Sequence, residues 1–262
     1  MKIVVVGSMA FDTVETPFGK VEEVIGGAAT FFSVAASFFA PVQAVAVVGE
    51  DFPEEELAFL RSRGIDLEGV EIAPGRTFRW TGRYHEDMNL RDTLDLQLNV
   101  FSEFTPKLPR SYRDAEICFL AVIHPDQQLA VLDQLRGPLL VGVDTMNHWI
   151  TETRSGLERL LRRCHVLTVN DEEARLLSGE RNIVRAARAI LEMGPSSVLI
   201  KRGEYGVLHF SGDSVFAVPA YPLEQVFDPT GAGDTFAGGF VGALAKSGDL
   251  SPASVRRAIV YG

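Results

Sequence analysis

The residues best suited to chemistry lie late in the chain, in Phe227-Asp228-Pro229-Thr230-Gly231-Ala232-Gly233-Asp234-Thr235-Phe236. Two glycines flank a small residue ahead of an apolar run through Leu244, which predicts a tight turn opening a helix. The first turn of a helix leaves several N–H groups without intrahelical partners, all aimed one way, and the helix dipole adds positive charge there. Gly231, Ala232 and Gly233 are therefore expected to hold a phosphate, or negative charge developing on a transferred group. Asp234 falls in the same turn. Standing alone it would read as a helix-dipole partner. Beside an anion hole it is placed to accept a hydroxyl proton while the N–H groups hold a phosphoryl group, and phosphoryl transfer needs little beyond positioning, a base and charge stabilisation.

Two further carboxylates follow strand-like runs. Asp12 comes just after Ile3–Val6, in the crevice at the carboxyl edge where α/β sheets bind ligands. Asn170-Asp171-Glu172-Glu173 follows Val166–Val169 and reads, by itself, as a capping box.

These groups need a frame, and the spacing of apolar runs supplies one. Ile3–Val6, Ala44–Val48, Ile117–Val122, Leu139–Val143, Val166–Val169 and Val198–Lys201 are continuous rather than alternating, as in strands covered on both faces. Helical patterns fall between them at Ala29–Phe39, Glu54–Arg63, Gln127–Leu135, Arg154–Arg163, Asp171–Leu177 and Ile183–Met193. Pro53 suits a first turn, Thr151, Asn170 and Asn182 suit caps, and Gly64 and Gly194 suit helix ends. This rhythm predicts a doubly wound, mostly parallel α/β sheet with helices on both faces, in a single domain spanning 1–262. Segments 13–25 and 77–101 break the rhythm. Leu94, Leu96, Leu98 and Val100 alternate with Asp95, Gln97 and Asn99, so both segments are read as one small β-lid. Its basic residues Arg79, Arg83, His85 and Arg91 are read as a solvated strand face. Exposed lid strands also predict a homodimer through the lid.

The net charge of −10 disfavours nucleic acid and anionic membrane as partners. Cys118 and Cys164 sit in apolar runs without metal-ligand spacing, which fits a cytoplasmic setting, and no apolar run is long enough to span a bilayer.

Asp-x-Thr-Gly-Ala-Gly-Asp-Thr-Phe before an apolar helix resembles the C-terminal signature of the ribokinase-like (PfkB-type) carbohydrate and nucleoside kinases. The resemblance implies an ATP-dependent kinase acting on a hydroxymethyl group of a sugar or nucleoside, with Asp234 as base and the Gly231, Ala232 and Gly233 amides as anion hole. A phosphosugar kinase and a catalytically idle sugar- or nucleotide-binding sensor stand as alternatives. The resemblance also assigns Asp12 to acceptor hydroxyls, and Asn170 with Glu173 to magnesium and its waters. Gly26-Gly27 is similar to the family's Gly-Gly pair opening a helix, which lets substrate approach the backbone. The helix position of a common sugar-binding Asn is here Phe31, whose ring packs in the core or stacks on a substrate ring. Asp144-Thr145-Met146-Asn147 is similar to a stretch bordering the substrate. Lys201-Arg202-Gly203-Glu204-Tyr205-Gly206 is similar to the nucleotide-side Thr-x-Gly-x-x-Gly segment, with Lys201 in place of Thr, either reaching a phosphate or solvated. Thr230 is grouped with the nucleotide site. Asp228 and Thr230 match positions that in some members line a monovalent cation site, which would add K+. The chain stops at Tyr261-Gly262, in a helix begun near Pro252, earlier than the resemblance implies.

Overall fold

The computed structural model describes residues 1–262. In chain order the elements are β1 (Ile3–Val6), β2 (Ala10–Thr16), β3 (Gly19–Gly26), α1 (Ala28–Ser37), β4 (Val42–Gly49), α2 (Glu54–Ser62), β5 (Ile65–Ala73), β6 (Phe78–Tyr84), β7 (Arg91–Gln97) and β8 (Ile117–Leu120). They continue with α3 (Pro125–Leu132), β9 (Leu140–Asp144), α4 (Asn147–Glu152), α5 (Arg154–Leu161), β10 (Val166–Asn170), α6 (Asp171–Ser178), α7 (Ile183–Glu192) and β11 (Ser197–Lys201). The last are β12 (Val207–Ser211), β13 (Ser214–Val218), α8 (Ala232–Ser247) and α9 (Pro252–Tyr261).

Nine strands form the main sheet in the order β13-β12-β11-β10-β9-β8-β1-β4-β5. All neighbours are parallel except β11–β12 and β12–β13. The apolar runs of β1, β4, β8 and β10 are buried throughout or nearly so, because helices cover both faces, and two hydrophobic clusters fill the space on either side. Strand order reverses between β1 and its neighbours β4 and β8. This puts a crevice at the carboxyl edge, where ligands of open α/β sheets bind.

The second sheet runs β3-β2-β6-β7. Its two segments do come together, as the alternating pattern predicts, and β2 pairs with β6 in parallel. β7 is exposed along its whole length and ends at Gln97; Asn99–Glu103 winds into a 3₁₀ turn, so Val100 lies outside the strand. The sheet is tied to the main domain at its base. Asp51, after β4, accepts hydrogen bonds from the Thr77 amide (2.7 Å) and hydroxyl (2.6 Å) and pairs with Arg79 at 2.8 Å. Burial opposes ionisation of Asp51, but the Thr77 and Arg79 contacts outweigh it and hold the carboxyl below its ordinary value.

Several local expectations changed in detail. Thr151 does not cap a helix; it lies within α4, and its hydroxyl donates back to the Asn147 and His148 carbonyls. Pro53 is the residue before α2 rather than its first. Asn182 caps α7 as expected, accepting from the Val184 and Arg185 amides. Of the phenylalanines on or next to α1, Phe32 is fully buried against Phe119, while Phe38, just past the helix end, is 67% exposed.

Candidate active site

The anion-hole turn is built by helix packing. Gly238 and Gly242 let α8 lie directly against α1: a Cβ on Gly238 would come within 2.3 Å of the Phe32 carbonyl, and one on Gly242 within 3.0 Å of Ala36. That close approach carries the first turn of α8 onto Phe31. Gly231, the residue before α8, is left-handed at φ 72°, and a Cβ there would meet the Phe31 ring at 2.4 Å. The Phe31 ring is thus spent on holding the turn.

The amides of this turn are not used as the motif alone suggests. Ala232 N–H donates to the Pro229 carbonyl at 3.1 Å, so it is consumed inside the turn. Those of Gly233 and Asp234 have no acceptor in the protein, and neither does that of Gly231. The amides left free at this turn are therefore those of residues 231, 233 and 234, the Ala232 amide being taken by the turn itself. Thr230 N–H is likewise spent, on Asp228 Oδ1 at 2.8 Å, and this leaves Asp228 a turn-forming residue on an exposed loop.

Substituting Gly231 by alanine is expected to cost about 1–2 kcal/mol from the left-handed backbone alone, with further loss from the Phe31 overlap. Urea unfolding reads the stability and steady-state turnover the displaced amides. An unchanged midpoint and rate would show that the turn is not held as described.

Beneath the turn lies a buried charge cluster. Lys201, at the end of β11, points its Nζ to Asp144 Oδ2 at 3.0 Å, with the two side chains 19% and 4% exposed. A Cβ on Gly233 would stand only 2.9 Å from that Nζ. Lys201 is therefore held in a charge pair rather than solvated, with its Nζ under the first turn of α8. Burial works against its charge, but Asp144, Glu173 and Asp234 outweigh burial and hold the ammonium above its ordinary value. Asp144 lies at the end of β9, spends one oxygen on the Thr145 amide (2.9 Å) and the other on Lys201, and so supports the cluster rather than bordering an acceptor.

Asn170 and Glu173 make the reciprocal capping box of α6. Asn170 Oδ1 accepts from Glu173 N–H at 2.7 Å, and Glu173 Oε2 accepts from Asn170 N–H at 2.8 Å. This occupies Asn170 Oδ1 and leaves Glu173 Oε1 uncommitted. Burial raises the Glu173 carboxyl, Lys201 opposes the rise and Asp144 adds to it.

Asp234 keeps an open edge toward the cleft, although protein surrounds most of it. Burial first, then the charge of Asp144, pushes its carboxyl up to about 7, against the pull of Lys201 and Arg91. Asp12, on β2, is buried and bonds to no other side chain. Burial raises it to about 6, the Gly27 amide and Arg91 pull it down, and Asp228 pushes it up. The glycine pair serves this carboxylate. A Cβ on Gly26 would strike Asp12 Oδ2 at 1.9 Å and one on Gly27 the Ser8 carbonyl at 2.5 Å, so these glycines make room for the protein's own groups. Gly203 and Gly206 form the turn after β11, where a Cβ on Gly206 would meet the Val218 carbonyl at 2.0 Å.

The second sheet is closed over this crevice through contacts that no motif announced. The Thr230 hydroxyl donates to Tyr84 Oη at 3.2 Å, the Phe18 and Phe227 rings meet edge to face at 5.1 Å, and Asn89 donates to Glu204 Oε2 at 2.9 Å. Thr230 and Glu204 stand in stretches the sequence singles out, but nothing local pairs them with Tyr84 or Asn89, and each pair lies far apart in sequence.

Comparison with known proteins agrees with this arrangement. The pfkB family carbohydrate kinase profile matches residues 126–262. A cytidine kinase from Thermococcus kodakarensis is 34% identical over 256 residues, covering 95% of this chain and 91% of that protein. Among solved structures, an adenosine kinase from Sinorhizobium meliloti superposes with a TM-score of 0.81 at 18% identity, over 99% of this chain and 92% of the other. A ribokinase II from E. coli, solved with ATP and Mg2+, superposes with a TM-score of 0.76 at 21% identity, over 98% and 90%. No helix is long and apolar enough to cross a membrane. The profile match over more than half the chain and the near-complete alignment with a 34% identical relative show that this protein belongs to the pfkB family of carbohydrate kinases and is a ribokinase-like phosphotransferase.

Proposed function

We propose that the protein transfers the γ-phosphoryl group of ATP to a primary hydroxyl of a nucleoside, with Asp234 as the base. The observation that carries this reading is a carboxyl raised to about 7 next to the unpaired amides of Gly233 and Asp234 itself. A base of that strength is half ionised near neutral pH, where proton acceptance is efficient. Asp12, free of other side-chain partners and less than 10% exposed, holds an acceptor hydroxyl. Asp234 takes the hydroxyl proton, the new O–P bond forms, the bond to ADP breaks, and the three free amides receive the charge on the transferred group. Closure of the second sheet keeps water out of the crevice.

Magnesium fits the donor set. Glu173 has one uncommitted carboxylate oxygen, and Asp144, Glu173 and Asp234 outnumber the one lysine among them, so the cluster favours a divalent cation held mainly by water and phosphates. When bound, Mg2+ supplies charge neutralisation on the phosphate oxygens. A nucleoside is the first acceptor to test because the 34% identical relative is a cytidine kinase.

ADP formation from Mg-ATP against nucleosides, sugars and sugar phosphates tests the reading. Turnover is expected with a nucleoside, and Asp12→Asn should raise the acceptor KM by about 10- to 100-fold, the worth of a hydrogen bond to a charged group, with little change in the ATP KM. Turnover that ignores every acceptor would reject the assignment.

A further inference from the structure

The register of the second sheet decides which side chains stand next to Asp12. β2 runs parallel to β6 with Asp12 opposite Trp80 and Val14 opposite Gly82, and β6 runs antiparallel to β7 with Trp80 opposite Leu96. On the other side of β2, Asp12 is opposite Val24 of β3. Side chains of paired residues leave a sheet on the same face, so Val24, Asp12, Trp80 and Leu96 form one row across all four strands. Tyr84 shares that face with Trp80 by alternation along β6, and its hydroxyl meets Thr230 on the loop before α8. The row therefore faces the crevice, with one carboxylate among three apolar side chains.

Trp80 is held down along its strand. A Cβ on Gly82 would come within 2.1 Å of the Trp80 six-membered ring, so the indole occupies the place of a side chain two residues along instead of standing upright from the sheet. Its Nε1–H donates to Thr93 Oγ1 at 3.2 Å, which spends the one polar group an indole has. The Arg91 guanidinium carbon is 5.8 Å from the ring centre, so the two planes are not stacked at the van der Waals separation of about 3.5–4 Å. What the crevice meets is a half-buried aromatic plane beside the carboxylate. A nucleoside joins a hydroxyl-bearing ring to a flat heteroaromatic one. With its hydroxyls on Asp12, its base reaches sideways by about one strand spacing, about 5 Å, which is where Trp80 lies. Phe31, the other aromatic side chain weighed for this role, is taken up by the Gly231 turn.

Building on the kinase reading above, we propose that Trp80 is the platform on which the acceptor's nucleobase stacks, with Leu96 beside it. Because Nε1 is already bonded to Thr93, the platform offers a π face and no hydrogen bond. It therefore separates nucleosides from free sugars while tolerating different bases, since every base has such a face. Gly82 is part of the device, because any larger residue there would lift the indole out of place.

The test uses the full chain with Trp80→Ala, Trp80→Phe and Gly82→Val, and cytidine, uridine, adenosine, guanosine and ribose as probes. Without ATP, every nucleoside that binds by calorimetry should quench the tryptophan fluorescence of the wild type, and ribose should not. Trp80→Phe should keep binding and lose the quenching, leaving only the signal of Trp149, the other tryptophan. Trp80→Ala should raise the nucleoside KM by about 10- to 100-fold, the worth of one base–aromatic stack, with kcat and the ATP KM nearly unchanged. Trp80→Phe should recover most of that loss, and Gly82→Val should resemble Trp80→Ala. A wild type that binds no nucleoside, or binds without quenching, overturns the proposal, as does a nucleoside KM that Trp80→Ala leaves unchanged. A loss shared by the ATP KM, or one that Trp80→Phe does not recover, overturns it in favour of a structural role. The kinase reading is judged separately. Quenching by a nucleoside without turnover would reject that reading and keep the base platform, whereas nucleoside turnover indifferent to Trp80 would do the reverse.

Discussion

Asp234→Asn is expected to lower kcat by about 10³-fold, within the range that a positioned general base contributes, and at the same time to raise thermal stability above pH 7. The two effects have one cause. The carboxyl sits in the first turn of α8, desolvated by burial and repelled by Asp144, and its pKa rises from an ordinary 3.8 to about 7. In the wild type, kcat should climb as pH rises through about 7, because only the ionised form takes the acceptor proton; the variant should show no such limb. For stability the sign is opposite. A carboxyl whose folded pKa lies above its unfolded value holds a proton that the unfolded chain has released, so stability is fullest below about 3.8 and is lost as pH rises through about 7. Asparagine never ionises and escapes that loss. Melting curves of the two proteins should converge near pH 4 and separate by pH 8, with the variant higher. A variant that keeps its rate would move the base elsewhere, with Asp12 the next carboxylate to replace.

Lys201→Met is expected to have the largest effect on folding. Nζ lies 3.0 Å from Asp144 Oδ2, and Glu173 and Asp234 both contribute to holding its charge. Removing one partner of a buried pair typically costs about 3–5 kcal/mol, because the remaining charge is left uncompensated. Here Asp144 would be stranded among two more carboxylates. Their mutual repulsion should then push the Asp234 limb of the pH–rate profile above its wild-type position. Urea unfolding and the pH–rate profile read the two consequences separately. Combining Lys201→Met with Asp144→Asn should recover part of the stability, since the double change deletes the stranded charge along with its partner. A Lys201→Met protein of wild-type stability would mean that the ammonium is solvated and the Asp144 pair is not made in solution.

The alternation of apolar runs and helical patterns was sufficient for a mostly parallel α/β sheet, because strands covered on both faces must be apolar throughout. It was insufficient for β5, β12 and β13, which lie at the two ends of the sheet. β5 mixes buried and exposed positions along its length and β13 alternates, so neither forms a continuous apolar run. The short helix α4 was missed because six residues give no periodicity to read.

The candidate site divides along a similar line. Contacts within a few residues were legible: the left-handed glycine before α8, the Asn170–Glu173 capping box and the Asn182 cap depend on local backbone geometry that residue types specify.

By itself, then, the sequence determined the class of sheet, the pairing of the two outlying segments and the position of a glycine-led helix start with a carboxylate in its first turn. Only the tertiary structure decided that Lys201 lies under that turn beside Asp144, that Gly26 makes room for Asp12, and that Tyr84 meets Thr230. The physical reason is that capping and turn formation act along the chain over three or four residues, whereas charge, burial and van der Waals exclusion act through space. Asp144 and Lys201 are 57 residues apart, and Tyr84 and Thr230 are 146 apart. The first pair meets only once parallel strands bring their carboxyl edges into line, the second only once the small sheet meets the loop before α8.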